Sequence, residues 1–262
     1  MGKKIRDTAL VLENIRIAPD IFSLLLKTEK IAHLAGAGQF VSVYCSDNSR
    51  LLPRPISICE TDREAGVLRL VFRIAGKGTE EFSRLRAGDS VDLTGPLGNG
   101  FPLERAQGKA LFLIGGGIGI PPMVQTAKDC SGMCSDMKAI LGYRDGCLFL
   151  REDLERYAEP VIATEDGSAG TRGNVLDAIR ERELRADVIF ACGPTPMLRA
   201  LKAYAQENGT ECWLSLEEKM ACGAGACLSC VCRSAQKDEH SQVKNKRVCT
   251  EGPVFLSSEV EL

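Results

Sequence analysis

The sequence predicts three parts: an antiparallel β-barrel over residues 1–102, a parallel-sheet α/β domain over residues 103–213, and a small cysteine-rich domain over residues 214–262. Three observations lead there. Short alternating or β-branched runs, separated by turn residues, fill the first part. Strand-like and helix-like runs then alternate, with glycine-rich turns at two strand ends. Finally, Cys222, Cys227 and Cys230 are spaced C-x4-C-x2-C, and Cys249 follows as a detached fourth thiol.

Composition sets the outer bounds. At 262 residues the chain is long enough for about two domains of roughly 100–200 residues each. Hydrophobic and charged contents of 44% and 26% are ordinary for a globular protein. A formal net charge of -2 gives no basic field for nucleic acid or an anionic membrane. The longest apolar run, Ala110 to Val124, is broken by glycines and prolines and is too short to span a bilayer. Met1 to Arg6 is charged with no apolar run behind it, so no secretory signal is expected. Of the 12 cysteines, those outside the C-terminal pattern lie mostly among apolar neighbours, as reduced core thiols do. A cytoplasmic location is the expectation.

In the first part, strands are expected at Ala9 to Ile17, Ile21 to Lys27, Phe40 to Tyr44, Ile56 to Glu60, Val67 to Ile74 and Ser90 to Thr94. One helix interrupts them at Thr79 to Leu85. Three local features carry potential chemistry. Arg54-Pro55-Ile56-Ser57 opens a strand with a cation before a fixed φ and a hydroxyl after it; by itself this is an ordinary strand entry. Gly76-Lys77-Gly78-Thr79 offers backbone N–H groups at a helix start, where an anion is favoured, or forms a plain capped loop. Gly95-Pro96-Leu97-Gly98-Asn99-Gly100-Phe101 is a tight turn without a titratable group.

In this order the three features resemble the FAD-binding barrel of the ferredoxin–NADP reductase superfamily. The resemblance implies that Arg54 pairs with the flavin pyrophosphate and that Ser57 lies near the isoalloxazine edge. Pro55 and Ile56 belong to the same motif. Gly78 and Thr79 would cradle phosphate oxygens, and Val71, Phe72 and Arg73 would line the cofactor. Many members place an aromatic residue before the serine; here it is Ile56, as in the branch whose motif reads R-P-x-S.

The second part opens with a buried strand, Lys109 to Ile114, running into Gly115-Gly116-Gly117-Ile118-Gly119-Ile120-Pro121-Pro122. A helix follows, with proline in its first turn. Strand, glycine turn and helix together present N–H groups to a pyrophosphate, although Ile120 stands at the third glycine of G-x-G-x-x-G. Strands at Lys138 to Tyr143, Val161 to Thr164 and Ala186 to Cys192 alternate with helices at Val175 to Glu183 and Pro196 to Asn208. That alternation indicates a parallel sheet covered on both faces. Cys192-Gly193-Pro194 forms a second turn at a strand's C-terminal edge. The pair of turns looks like the pyridine-nucleotide domain of the same superfamily. By that resemblance Gly115, Gly116, Gly117 and Gly119 approach the NAD pyrophosphate, and Cys192, Gly193 and Pro194 lie beside the nicotinamide. Thr164 to Ser168 either contacts adenosine or is a polar turn. No arginine cluster suited to a 2′-phosphate stands out, which leans towards NAD.

The third part carries the most specific signal. C-x4-C-x2-C with a distant fourth cysteine is the plant-type pattern for a [2Fe–2S] cluster, with Cys222, Cys227, Cys230 and Cys249 as ligands. Gly223, Ala224, Gly225 and Ala226 leave room for backbone to approach the cluster. Structural zinc is the alternative, but only Cys227 and Cys230 form a C-x2-C knuckle; buried inert thiols are a further one. Cys232 rivals Cys249 for the fourth place. Strands are expected at Leu228 to Arg233 and Lys246 to Cys249, with a polar loop holding a solvated His240 between them.

Taken together, barrel, nucleotide domain and the run from Glu217 to Cys232 with Val248 to Phe255 closely resemble the electron-transfer subunits of class B dihydroorotate dehydrogenases. That resemblance implies FAD and a [2Fe–2S] cluster as cofactors and NAD(H) as substrate. It also implies an FMN-containing catalytic subunit as partner, in a heterotetramer of two of each chain, serving pyrimidine biosynthesis. No acid or base residue and no dihydroorotate site is expected in this chain. The alternatives are an NADP(H)–ferredoxin oxidoreductase subunit on the same modules, and a zinc-stabilised interaction module without flavin.

Overall fold

The structure, a computed structural model, describes residues 4–47, 49–237 and 242–262; His240 lies outside the described residues. Strands β1 (Ile5–Ala18), β2 (Ile21–Lys27), β3 (Phe40–Val43), β4 (Arg54–Asp62), β5 (Val67–Arg73) and β6 (Ser90–Leu97) close into a barrel in the order β1-β2-β5-β4-β3-β6. Every neighbouring pair is antiparallel. Closure pairs the backbone groups that an open sheet would leave along its edges. Alternate residues point inward, so Leu24, Leu26, Ile58, Leu68, Leu70 and Leu93 fill the interior. Two short helices complete it. Helix α1 (Glu29–Leu34) buries Ile31 and Ala32, and α2 (Lys77–Phe82) delivers Phe82 edge-on to Phe72. The first of these was not legible, because six residues are too few to display a helical period.

The rest of the chain supplies β7 (Ala110–Gly116), α3 (Pro121–Cys130), β8 (Asp136–Tyr143), α4 (Arg151–Glu155), β9 (Glu159–Thr164), β10 (Thr171–Arg172), α5 (Val175–Glu181), β11 (Val188–Cys192), α6 (Thr195–Asn208) and β12 (Glu211–Ser215). The tail adds β13 (Val231–Ser234), β14 (Asn245–Arg247), β15 (Val254–Leu256) and β16 (Val260–Glu261). A seven-stranded sheet runs β10-β9-β8-β7-β11-β12-β15. It is parallel up to β12, and β15 joins antiparallel. Its alternating residues feed two cores. Leu111, Leu113 and Phe190 face Met123, Val124 and Leu154, while Phe112, Ile114 and Ile189 face Ile179, Leu198 and Leu201. Helices therefore cover both faces, as a parallel sheet requires. A three-stranded antiparallel sheet, β14-β13-β16, carries the cysteine loop. The expected boundary at 213 falls within β12, and through β15 the tail returns to the larger sheet. Cys249 sits in a turn just beyond β14 rather than on a strand.

The barrel and the sheet domain are joined by a polar seam. Glu60 and Arg69 are cross-strand neighbours on β4 and β5. Lys128 of α3 donates to Glu60 at 3.0 Å, Arg69 donates to Asp153 of α4 at 2.6 Å, and the Thr61 N–H donates to Gln125 at 2.8 Å. The same two strands reach the site at their other ends, Arg54 and Arg73. Replacing Asp153 by Ala is expected to remove about 2 kcal/mol, the worth of a charged hydrogen bond with little solvent access. A lowered urea midpoint at unchanged slope would show it; an unchanged midpoint would mean the seam contributes nothing.

Candidate functional site

At the junction of the three parts lies a cleft of about 300 Å³. From the barrel it takes Arg54, Pro55, Ile56 and Ser57 at the start of β4, Val71, Phe72 and Arg73 at the end of β5, and Thr79 of α2. Strand pairing explains the convergence. β4 and β5 are antiparallel neighbours, so the beginning of one and the end of the other meet at the same barrel rim. Val71 and Phe72 are both buried and point to opposite sides. Val71 belongs to the core shared with the sheet domain, whereas the Phe72 ring stacks on Phe22 inside the barrel.

Gly78 acts through its missing side chain. A Cβ there would lie 2.5 Å from the Arg54 Nε. The glycine thus lets the guanidinium lie across the start of α2, beside the cleft. The Thr79 hydroxyl accepts the Ala75 N–H at 2.9 Å and donates to the Gly76 carbonyl at 3.0 Å. It shapes the loop that it was expected to complement. Together a cation, a bare backbone approach and an apolar wall suit a flavin pyrophosphate and ring.

The other wall was not found by sequence reasoning. Ile118 from the turn after β7 closes one side; Ser215, Leu216, Glu217 and Met220, running from the end of β12 towards the cysteines, close another. Ile118 belongs to the glycine turn, and Glu217 and Met220 to the run that leads into the cysteines, but neither motif marks them as cleft residues; only the general tendency of ligands to sit at the C-terminal edge of a parallel sheet points there. Glu217 is open to water through the cleft yet crowded by protein on its other sides. Burial raises its carboxyl pKa, and the Arg73 charge opposes the rise.

The two glycine turns of the sheet domain meet at that edge. Cys192 is aligned with Gly115 on one side and with Ser215 on the other. A Cβ on Gly119 would come within 2.3 Å of the Cys192 carbonyl oxygen, so the turns can touch only with glycine there. Cys192 itself is buried, and its thiol is pushed upward by burial and then by the Glu217 charge. Gly116 and Gly193 both pack against Met197, the third residue of α6.

The cysteine loop carries its four expected sulfurs in two pairs. The side chains of Cys222 and Cys227 are hydrogen-bonded to each other as free thiols, and so are those of Cys230 and Cys249. Burial works against the Cys222 thiolate, but the N–H groups of Ala224, Ala226 and Cys227, at 3.3–3.4 Å from its Sγ, pull its pKa down to about 6. Burial and the neighbouring Cys230 thiol push Cys249 up to about 11, while the Cys249 N–H donates to Cys230 Sγ at 3.4 Å. Among the described residues no three His, Cys, Asp or Glu side chains are grouped as a single ion would need. Two thiol pairs are the division that two irons require, so the donor set fits a [2Fe–2S] cluster better than one zinc ion. Cys232 lies apart, its thiol raised to about 11 by burial and facing Glu218, Glu251 and Lys246. The loop rests on the barrel: a Cβ on Gly223 would lie 2.9 Å from Ser42 Oγ of β3.

Comparisons with known proteins give this geometry a context. Residues 8–101 match a family described as oxidoreductase FAD-binding domain, and residues 217–261 match the iron-sulfur cluster binding domain of dihydroorotate dehydrogenase B. The chain is 43% identical over 249 residues to the dihydroorotate dehydrogenase B (NAD(+)) electron transfer subunit of Geobacillus sp. (strain WCH70), covering 94% of this chain and 95% of that one. The same subunit of Bacillus velezensis is 41% identical, with 96% and 97% covered. A solved NADH-dependent reduced ferredoxin-NADP oxidoreductase superposes with a TM-score of 0.86 at 28% identity, over 97% of this chain and 89% of that one.

Gly119→Ala tests the contact between the two turns. The added methyl must part them, so the KM for NADH is expected to rise at least about tenfold while flavin content stays constant. An unchanged KM would show that the turns do not bind the nucleotide.

Proposed function

We propose, from the premise that this chain belongs to the dihydroorotate dehydrogenase B electron transfer subunits, that the junction cleft and the cysteine loop are two stations on one electron path. The chain is an oxidoreductase component with FAD and an iron–sulfur cluster as cofactors and NAD(H) as substrate. A separate catalytic subunit is its partner. One arrangement carries the reading of the path: a single cleft takes walls from the barrel, from the nucleotide turns and from the segment leading into the cysteine loop.

When bound, FAD exchanges a hydride with NAD(H) and passes electrons on singly, while a [2Fe–2S] centre carries one at a time. The residues supply position and environment. Arg54 and Gly78 hold the pyrophosphate end, Pro55, Ile56 and Ser57 edge the ring, and Val71 and Arg73 back it, with Phe72 between them fixing the strand by its ring inside the barrel. Thr79 keeps the phosphate loop in shape. The turns Gly115 to Gly119 and Cys192 to Pro194 bring the nicotinamide to the open mouth, beside Ile118. Cys222, Cys227, Cys230 and Cys249 hold the cluster against β3, on the barrel that holds the flavin. Arg73 faces Glu217 and offsets its charge at the cleft. No proton need be moved by a side chain.

The finer assignments belong to the same reading. The partner carries FMN and interconverts dihydroorotate and orotate, two copies of each chain assemble, and the complex works in the cytoplasm in pyrimidine biosynthesis. Residues 1–102, 103–213 and 214–262 remain the functional division, with β15 as the tail's anchor in the sheet. Among the described residues no helix is long and apolar enough to cross a membrane. The likeness to the ferredoxin-NADP oxidoreductase keeps ferredoxin as a second partner class, with NADP(H) as the nucleotide.

Two experiments test the reading. Cys227→Ser should abolish the visible absorbance and iron of the cluster while FAD remains stoichiometric; retained cluster iron would remove Cys227 from the ligand set. NADH should reduce the flavin of the isolated chain, whereas dihydroorotate should do so only after the FMN-bearing subunit is added. Reduction by dihydroorotate alone would place the substrate site here and overturn the division of labour.

A further inference from the structure

Among the described residues only two buried side-chain oxygens or nitrogens have no hydrogen-bond partner, Asn14 Oδ1 and Thr250 Oγ1. The first belongs to an amide whose nitrogen is fully used, donating to the Phe82 and Leu85 carbonyls at the barrel end. The second lies next to a cluster ligand. Thr250 follows Cys249 and is 8% exposed. Its side chain is packed under the ligand loop, where a Cβ on Gly225 would lie 2.8 Å from Thr250 Cγ2 and 3.3 Å from Thr250 Oγ1.

A buried hydroxyl without a partner is costly, and such groups call for an explanation. The threonine side chain is also not needed as a turn cap. The local turn is closed by backbone, with the Thr250 and Glu251 N–H groups donating to the Arg247 carbonyl and the Thr250 carbonyl accepting from Asn99 Nδ2. None of the four ligand thiols accepts the hydroxyl, since it has no protein partner at all. A group bound by the loop would supply the acceptor that the protein does not.

We infer that the Thr250 hydroxyl donates a hydrogen bond to an inorganic sulfide of the [2Fe–2S] cluster and thereby sets its reduction potential. This rests on the assignment of Cys222, Cys227, Cys230 and Cys249 as cluster ligands. Hydrogen bonds to cluster sulfur are among the determinants of potential, because they stabilise the more negative, reduced state. Backbone N–H groups already serve the thiolates of Cys222 and Cys230. Thr250 adds a side-chain donor on the face that closes last along the chain. The residue is a tuning group, not a ligand.

The test uses the full chain with both cofactors, comparing Thr250→Val, Thr250→Ala and Thr250→Ser. Iron and acid-labile sulfide are counted first; a wild-type chain without them would fail the ligand assignment rather than this inference. In cluster-loaded Val and Ala variants the midpoint potential should fall, the serine variant should stay near wild type, and the downshift of Fe–S stretching frequencies in deuterium oxide should shrink. Loss of the cluster in Val and Ala but not Ser would likewise support a hydroxyl contact. The inference is overturned if the loaded variants keep the wild-type potential and deuterium shift, or if the serine variant moves with valine.

Discussion

Four thiolates held close together repel one another, and the cysteine loop relieves that repulsion with backbone N–H groups rather than with side-chain cations. Three of them converge on Cys222 and a fourth on Cys230. Fixed dipoles of this kind need no rearrangement when charge changes, which suits a group that gains and loses electrons. The requirement reaches back to the sequence. Aiming successive N–H groups inward needs left-handed backbone at Gly223 and Gly225, whose φ values are 61° and 88°.

A loop so shaped keeps its form only if both ends are held. The leading end follows β12 through the cleft wall, and the trailing end is captured by the turn after the barrel. The Asn99 N–H donates to the Gly252 carbonyl at 2.6 Å, and its side chain donates to the Thr250 and Glu251 carbonyls. Beyond Pro253 the chain enters the seven-stranded sheet as β15. The cysteine lobe is thereby fastened to both larger parts, which are themselves tied across the Glu60–Arg69–Asp153 seam. Contacts therefore tie the junction cleft, the two glycine turns and the sulfur pairs into one connected framework.

Local signals in the sequence were enough for much of this. Six barrel strands, the glycine turns and the four sulfurs announced themselves by alternation, by glycine and proline at strand ends, and by spacing. The flavin motif was harder, since Arg54-Pro55-Ile56-Ser57 is an ordinary strand entry until its order among the other motifs is considered. What escaped depends on contacts between distant residues. Nothing near Val254 foretells an antiparallel partner at Ser215, and Glu217, at the start of the run towards the cysteines, gives no local sign of the cleft that it lines. Ile118 stands within the glycine turn with no signal of its own; it lines the cleft because the sheet edge faces the barrel rim. Thr79 shows a subtler gap, since its type suited a phosphate contact while its hydroxyl is engaged in the loop's own shape.

Whether the sulfur pairs of this lobe hold a two-iron centre beside a flavin decides the rest. The most direct measurement is chemical analysis of the anaerobically purified chain, counting iron, acid-labile sulfide, zinc and FAD against protein. Two irons, two sulfides and one FAD per chain are expected, the iron count following from the cluster type. Zinc in place of iron, or iron without sulfide, would contradict this.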